Sequence, residues 1–356
     1  MALATGLFAD APQNAAPPPA PSQDAYQTEG LTLETGRFTV AGDLIHPRTG
    51  GKHPVVIVVP GDGPFTRAQG LRFLKSIGLF DDLMSKGFAV FMDDKPGSGA
   101  STGVLSEERL FHERAEILSR WIERLQEHPA VDGRHIGFYG VSQAGYVMPL
   151  AIADSPDVAF MIAVSCPGED SVSQFAYLVE QQAMCEGYPE AEARQVSQAF
   201  IRRETARSYE DYREAAERVA ASPVASEQAG GDILPEEQFQ PANLESEDFF
   251  NPIGILEKAP IPVLALFGAK DTQVDPIQGA EAYSKALAIA GNPHSQVKVI
   301  PDVDHILSLA TTGCEKELMA KLQARSAAYT PEYLASISNW LATLKSRWEP
   351  RRGDPS

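Results

Sequence analysis

The sequence predicts an α/β protein built on a mostly parallel sheet with helices on both faces. Three observations carry this. Short strand-like runs alternate with longer segments that have apolar residues at helical spacing. The runs are apolar throughout rather than at every second residue, so both of their faces need cover. Gly and Pro then stop each run. No repeat of fixed period interrupts the alternation.

In chain order, "LTLETGRFTVAGDLIHP" (31–47) predicts two antiparallel strands joined by a turn at Ala41-Gly42-Asp43. A buried strand follows from Val55 to Val59, ending in "PGDGP". Residues 67–86 predict one helix, with Leu71, Leu74, Leu79 and Leu83 on its apolar side. "GFAVFMDDKPGSGASTG" is a strand running into a Gly-rich loop, and 106–127 is a helix with Leu110, Ile117, Trp121 and Leu125 at helical spacing. A strand at 135–139, a helix beginning at Ser142 and a strand at 158–165 complete the first block. The rhythm returns at 260–271 and 295–305.

Between the blocks, residues 167–255 hold 18 acidic and 6 basic residues. Much of that stretch is rich in Gln, Ala, Glu and Arg, and it predicts a helical acidic cap over the sheet's carboxyl edge. Its other reading is a peripheral helical decoration. The resulting division is a Pro/Ala-rich arm (1–26, disordered or polyproline-like), core (27–166), cap (167–255) and core again (256–348).

Composition narrows the partners. Hydrophobic residues make up 43% of the chain, enough for a packed core, and no apolar run reaches the length of a membrane span. The formal charge of −18 disfavours nucleic acid and anionic membranes, which reward Lys and Arg. The start "MALATGLFAD" lacks a basic region and a long apolar stretch, so a cytoplasmic chain is expected, with an exported form that has lost its signal as the other option. Cys166, Cys185 and Cys314 are odd in number and widely spaced, without CxxC. Free thiols and no metal site are expected, and a single bridge such as Cys185–Cys314 stays open.

The chemistry centres on "GVSQAG" (140–145). A serine between a strand and a helix serves either as a helix N-cap or as a nucleophile on a strained turn; the latter needs small neighbours, which Gly140 and Ala144 supply. Two later strands end in its possible partners, Asp271 in "FGAKD" and His305 in "PDVDH". A serine hydroxyl needs a base, and the base needs an orienting acid; on a parallel sheet all three come from carboxyl-end loops. Of seven histidines only His305 follows a core strand after such an acid. Asp275, Asp302 and Asp304 compete with Asp271 less well on position. The oxyanion donors would be the backbone N–H groups of Gln143, whose side chain is expected to be incidental, and Asp62. "DKPGSGASTG" (94–103) matches neither phosphate-loop pattern, and no cofactor is called for.

Taken together, Pro60-Gly61, Asp94 to Gly103, Gly140 to Ala144, Gly268 to Asp271 and Asp304-His305 resemble the α/β-hydrolase superfamily, in particular bacterial serine esterases similar to prolyl-oligopeptidase-like and dienelactone-hydrolase-like enzymes. The resemblance spans about 31–345 and implies an eight-stranded sheet with a cap insertion. Three positions depart from the pattern. Pro96 stands where those enzymes carry a loop arginine, removing any salt bridge it makes; Ala144 stands for Gly, and Pro60 for the commoner His.

The expectation is a serine hydrolase that cleaves a small carboxylic ester through Ser142, His305 and Asp271. A peptidase or thioesterase using the same triad comes second, and a non-catalytic binder on this fold third. The oligomeric state is left open, a dimer included.

Overall fold

The computed structural model describes residues 25–222 and 233–348. Most of the Pro/Ala-rich arm and the "AGGD" segment of the insert lie outside these. Eight strands form one sheet: β1 (Tyr26–Glu34), β2 (Thr39–Pro47), β3 (His53–Val59), β4 (Ala89–Asp93), β5 (Val131–Val141), β6 (Phe160–Val164), β7 (Val263–Gly268) and β8 (Gln296–Ile300). Their order is β1-β2-β4-β3-β5-β6-β7-β8. From β4 to β8 neighbours pair in parallel, while β1–β2 and β2–β4 are antiparallel.

Every residue of β3 is buried, because its two faces meet two separate cores. Val55, Ile57 and Val59 point into one, with α3 (Leu110–Gln126), α4 (Ala144–Asp154) and α9 (Pro276–Ala290). Val56 and Val58 point into the other, with α1 (Arg67–Ser76), α2 (Leu79–Ser85) and the C-terminal α11 (Pro331–Trp348). Each such aliphatic side chain contributes about 1.5–3 kcal/mol by leaving water.

Two local expectations are corrected. Gly42 does not turn the first hairpin; it lies inside β2, opposite Leu31. A Cβ there would come within 2.5 Å of the Phe91 ring and 3.2 Å of Trp121, so glycine is required for packing rather than for a turn. The turn falls at Thr35–Phe38, with Gly36 at φ 75°. The single helix over 67–86 is two, α1 and α2, because Gly78 adopts φ 74° between them.

The insert supplies α5 (Ser171–Cys185), α6 (Glu190–Glu204) and α7 (Tyr209–Ala220) before the single turn α8 (Ile253–Leu256) returns to the core. These three helices share a small core of their own, including Val179, Ala183, Val196, Phe200 and Val219. Polar ties fasten it to the sheet domain. The Tyr177 hydroxyl donates to the Asp271 carbonyl at 2.8 Å, and Gln174 Nε2 to the Gln273 carbonyl at 2.7 Å. The Glu247 carboxylate accepts from the Phe111 and His112 amides, capping the start of α3.

One tie is covalent. Cys185, at the end of α5, is bridged to Cys314, the residue before α10 (Glu315–Gln323), across 129 residues of sequence. Cys166 is the remaining, buried free thiol. The expectation of free thiols therefore holds for Cys166 alone. A bridge over so long a loop restricts the unfolded chain and contributes about 2–4 kcal/mol. Replacing both cysteines (Cys185→Ser with Cys314→Ser) should lower the denaturant midpoint by a corresponding amount. The same shift should follow when the parent protein is reduced; coincident unfolding curves would show that the bridge does not form.

Candidate active site

The strand order reverses at β3. The chain goes outward from β3 to β4, then returns across β3 to β5 and continues the other way. Such a switch point opens a crevice at the strands' carboxyl ends. The register pairs Val59 with Gly140, so the loop after β3 lies beside the loop after β5.

Ser142 follows β5 at φ 57°, the left-handed region that favours glycine. Its own amide donates to the Val164 carbonyl at 2.9 Å, and its carbonyl accepts from Gly145 N–H at 2.8 Å, so β6 and the first turn of α4 fix the bend. Small residues are needed around it. A Cβ on Gly140 would lie 2.5 Å from Met148 and 2.7 Å from Ala144 Cβ, and one on Gly145 would lie 2.7 Å from Cys166 Cβ. The next amide, Gln143 N–H, opens α4, where no intrahelical acceptor exists.

Asp271 follows β7 and His305 follows β8. His305 Nδ1 lies 2.8 Å from Asp271 Oδ2, with both side chains buried. The other carboxylate oxygen, Oδ1, accepts from the Gln273 and Val274 amides at 2.8 and 3.0 Å, which holds the carboxylate plane. Burial alone would depress the His305 pKa. The charge and hydrogen bond of Asp271, with the charge of Asp304, outweigh it and raise the pKa above the ordinary imidazole value. The competing carboxylates have structural work: Asp275 caps α9 through the Ile277 and Gln278 amides. Asp304 accepts from the Ile306 and Ser308 amides, the Ser308 hydroxyl and Lys321, which shapes the turn carrying His305.

Asp62 sits in the loop after β3, directly over the serine turn. A Cβ on neighbouring Gly61 would lie 3.2 Å from Ser142 Cβ and 3.1 Å from the Val141 carbonyl, a closeness only glycine permits comfortably. The loop is held by groups that the sequence reading did not single out. Arg114 of α3 donates to the Pro60 carbonyl and to Gln143 Oε1. Gln143 Nε2 in turn donates to Asp62 Oδ1 at 3.0 Å. The Gln143 side chain, expected to be incidental, is therefore a strut between α3 and the loop. Arg114 was legible in principle: it falls beside Phe111, Ala115 and Leu118 on the apolar stripe of α3, where a cation must have buried acceptors.

Lys95, in the loop after β4, donates to the Gly61 and Gly63 carbonyls, at 2.8 Å to the latter. Its companion Asp94 accepts from the Arg67 and Ala100 amides, both at 2.8 Å, and Arg67 NH2 lies 3.7 Å away. An arginine thus reaches Asp94 from α1 although Pro96 occupies the loop position. Burial, with the charge of Arg114, brings the Lys95 pKa down from 10.5 to about 7, against the opposing pull of Asp62 and Asp93. Between those values the unfolded chain binds a proton that the folded chain does not. Stability at this residue therefore rises with pH across that window. In Lys95→Met that rise should vanish, seen as a smaller gain in urea midpoint between about pH 7 and about pH 9 than in the parent. Equal gains would show that Lys95 titrates normally.

Comparison with known proteins agrees with this architecture. Two crystal forms of the Pyrococcus furiosus esterase Pf2001 superpose with TM-scores of 0.53 and 0.51 at 13% and 14% identity. They cover 90% of this chain and 92% and 91% of theirs. Porphyromonas gingivalis dipeptidyl peptidase 4 is 16% identical with a TM-score of 0.45; the match covers 84% of this chain and 35% of that longer one. No curated protein matches. The family described as X-Pro dipeptidyl-peptidase (S15 family) matches residues 36–294. The chain belongs to that family, and is an α/β-hydrolase of the esterase/peptidase type.

Proposed function

We propose that the protein is a serine hydrolase that cleaves carboxylic esters, with Ser142 as nucleophile, His305 as general base and Asp271 as its orienting acid. The observation that carries this reading is the buried Asp271–His305 pair at the carboxyl ends of β7 and β8, on the same sheet edge as the left-handed Ser142 turn.

In the proposed cycle the imidazole takes the Ser142 proton at Nε2 while Nδ1–H stays on Asp271. Ser142 Oγ attacks the ester carbonyl. The Gln143 and Asp62 amides receive the oxyanion, in a loop that Arg114 and Lys95 keep from shifting. The imidazolium returns its proton to the leaving alcohol, and the acyl-enzyme forms. His305 then draws a proton from water, which attacks the acyl carbonyl and frees Ser142 and the acid. No metal or cofactor takes part.

The second reading is a peptidase on the same triad, favoured by the family match. The acidic insert would then suit a substrate bearing an amine. The near-complete mutual coverage with an esterase of similar length supports the ester reading. Thioester cleavage and a non-catalytic role remain the other outcomes of the same tests.

Ser142→Ala should abolish both fluorophosphonate labelling and p-nitrophenyl acetate hydrolysis; undiminished turnover would exclude the proposed nucleophile. Asp271→Asn should lower kcat by about 10³–10⁴-fold. Because His305 must be neutral to act and its pKa is raised, kcat/KM should fall with acid through a value above 6.5. The acid limb should move to lower pH in Asp271→Asn. A panel of acyl esters, acyl thioesters and Xaa-Pro anilides ranks the substrate classes; strong anilide turnover with negligible esterase activity would reverse the ranking.

A further inference from the structure

A groove of about 650 Å³ lies between α1 and the end of α10 with the segment that follows it. Four cationic residues line it, Arg72 and Lys75 from α1 and Lys321 and Arg325 from the other side. The lining is completed by apolar surface of Phe73, Tyr329 and the exposed Leu322. Among the described residues no carboxylate lines it, although the chain carries a charge of −18.

Local structure explains only part of this. Lys75 and Lys321 sit in the last turns of their helices, where a cation meets the negative end of the backbone dipole. Lys321 is also matched by Asp304. Lys75 lies over the Phe80 ring and donates to the Tyr26 hydroxyl, whereas Arg72 and Arg325 form no ion pair among the described residues. Arg325 stands out further, because it holds φ 52° at the turn that ends α10, where the Ser326 amide donates to the Lys321 carbonyl. That position ordinarily takes glycine, which adopts it without strain. An arginine there suggests that its side chain has a use.

We propose that this groove binds an organic carboxylate with an apolar tail. The carboxylate would meet Arg72 and Arg325, whose guanidinium groups suit it in bidentate fashion, and the tail would cover Phe73, Leu322 and Tyr329. The volume lies within the usual range for a small-molecule site. The assignment is independent of the ester-cleavage reading, since Arg72, Arg325, Phe73, Leu322 and Tyr329 lie outside the Ser142 site; only Lys321 of the lining touches it, through Asp304.

The test is calorimetric titration with dodecanoate below micelle formation, with dodecyltrimethylammonium and acetate as controls for charge and tail. One variant combines Arg72→Glu with Arg325→Gly; the latter removes the cation while relaxing the backbone, so folding is preserved. Dodecanoate should bind the parent at least tenfold more tightly than either control and at least tenfold more tightly than the variant. Ester turnover and fluorophosphonate labelling should be the same in both proteins. Equal binding of the cationic amphiphile would reduce the groove to a bare apolar patch and overturn the proposal. Acetate binding as tight as dodecanoate would remove the tail from it, and unchanged dodecanoate binding in the variant would put the ligand elsewhere; either result overturns it as well.

Discussion

The parallel pairing of β3 with β5 is the constraint on which the candidate site rests. With Val59 opposite Gly140, the chain leaves both strands at one level, and Gly61 comes to lie on Ser142. A slip of one residue would turn Val55, Ile57 and Val59 out of their core and expose them to the opposite face. The hydrophobic effect that packs the sheet therefore also sets the distance between the serine and the loop above it. Precision in the polar site is inherited from apolar packing that never touches it.

Packing alone would leave the loop after β3 with buried carbonyls and no partners. Two buried basic side chains resolve this. Arg114 takes the Pro60 carbonyl and Lys95 takes those of Gly61 and Gly63. The loop's carbonyls are thereby tied to α3 and to the loop after β4. The cost is desolvation, visible in the lowered pKa of Lys95 and in the Arg114 pKa brought down to about 10 by burial, against Asp93 and Asp62.

The inner strands β3, β4, β6 and β7 were legible because each centres on an apolar run, a pattern that needs no knowledge of its neighbours; the edge strands β1 and β8 alternate instead, since only one of their faces is covered. The Asp271–His305 contact was legible for a related reason: each residue comes within five positions of the end of a late strand. Features that depend on what lies opposite were not. Gly42 reads as a turn until Phe91 and Trp121 are seen against it, and Gly78 reads as a helix residue until its φ is known. Gln143 shows its strut only through Arg114 and Asp62, which lie 29 residues before it and 81 before it in sequence. The pairing of Cys185 with Cys314 likewise depends on where α5 docks, which no local spacing encodes.

That bridge divides the chain topologically. It closes a covalent ring that runs from the end of α5 to the start of α10 and so contains α6, α7, Asp271 and His305. Ser142 lies outside the ring, on the stretch that precedes it. A single backbone cut anywhere within the ring leaves one molecule rather than two, with Asp271 and His305 each still joined to Ser142 through backbone or through sulfur. The stretch that brings Asp271 and His305 together is therefore the one guarded against loss by nicking.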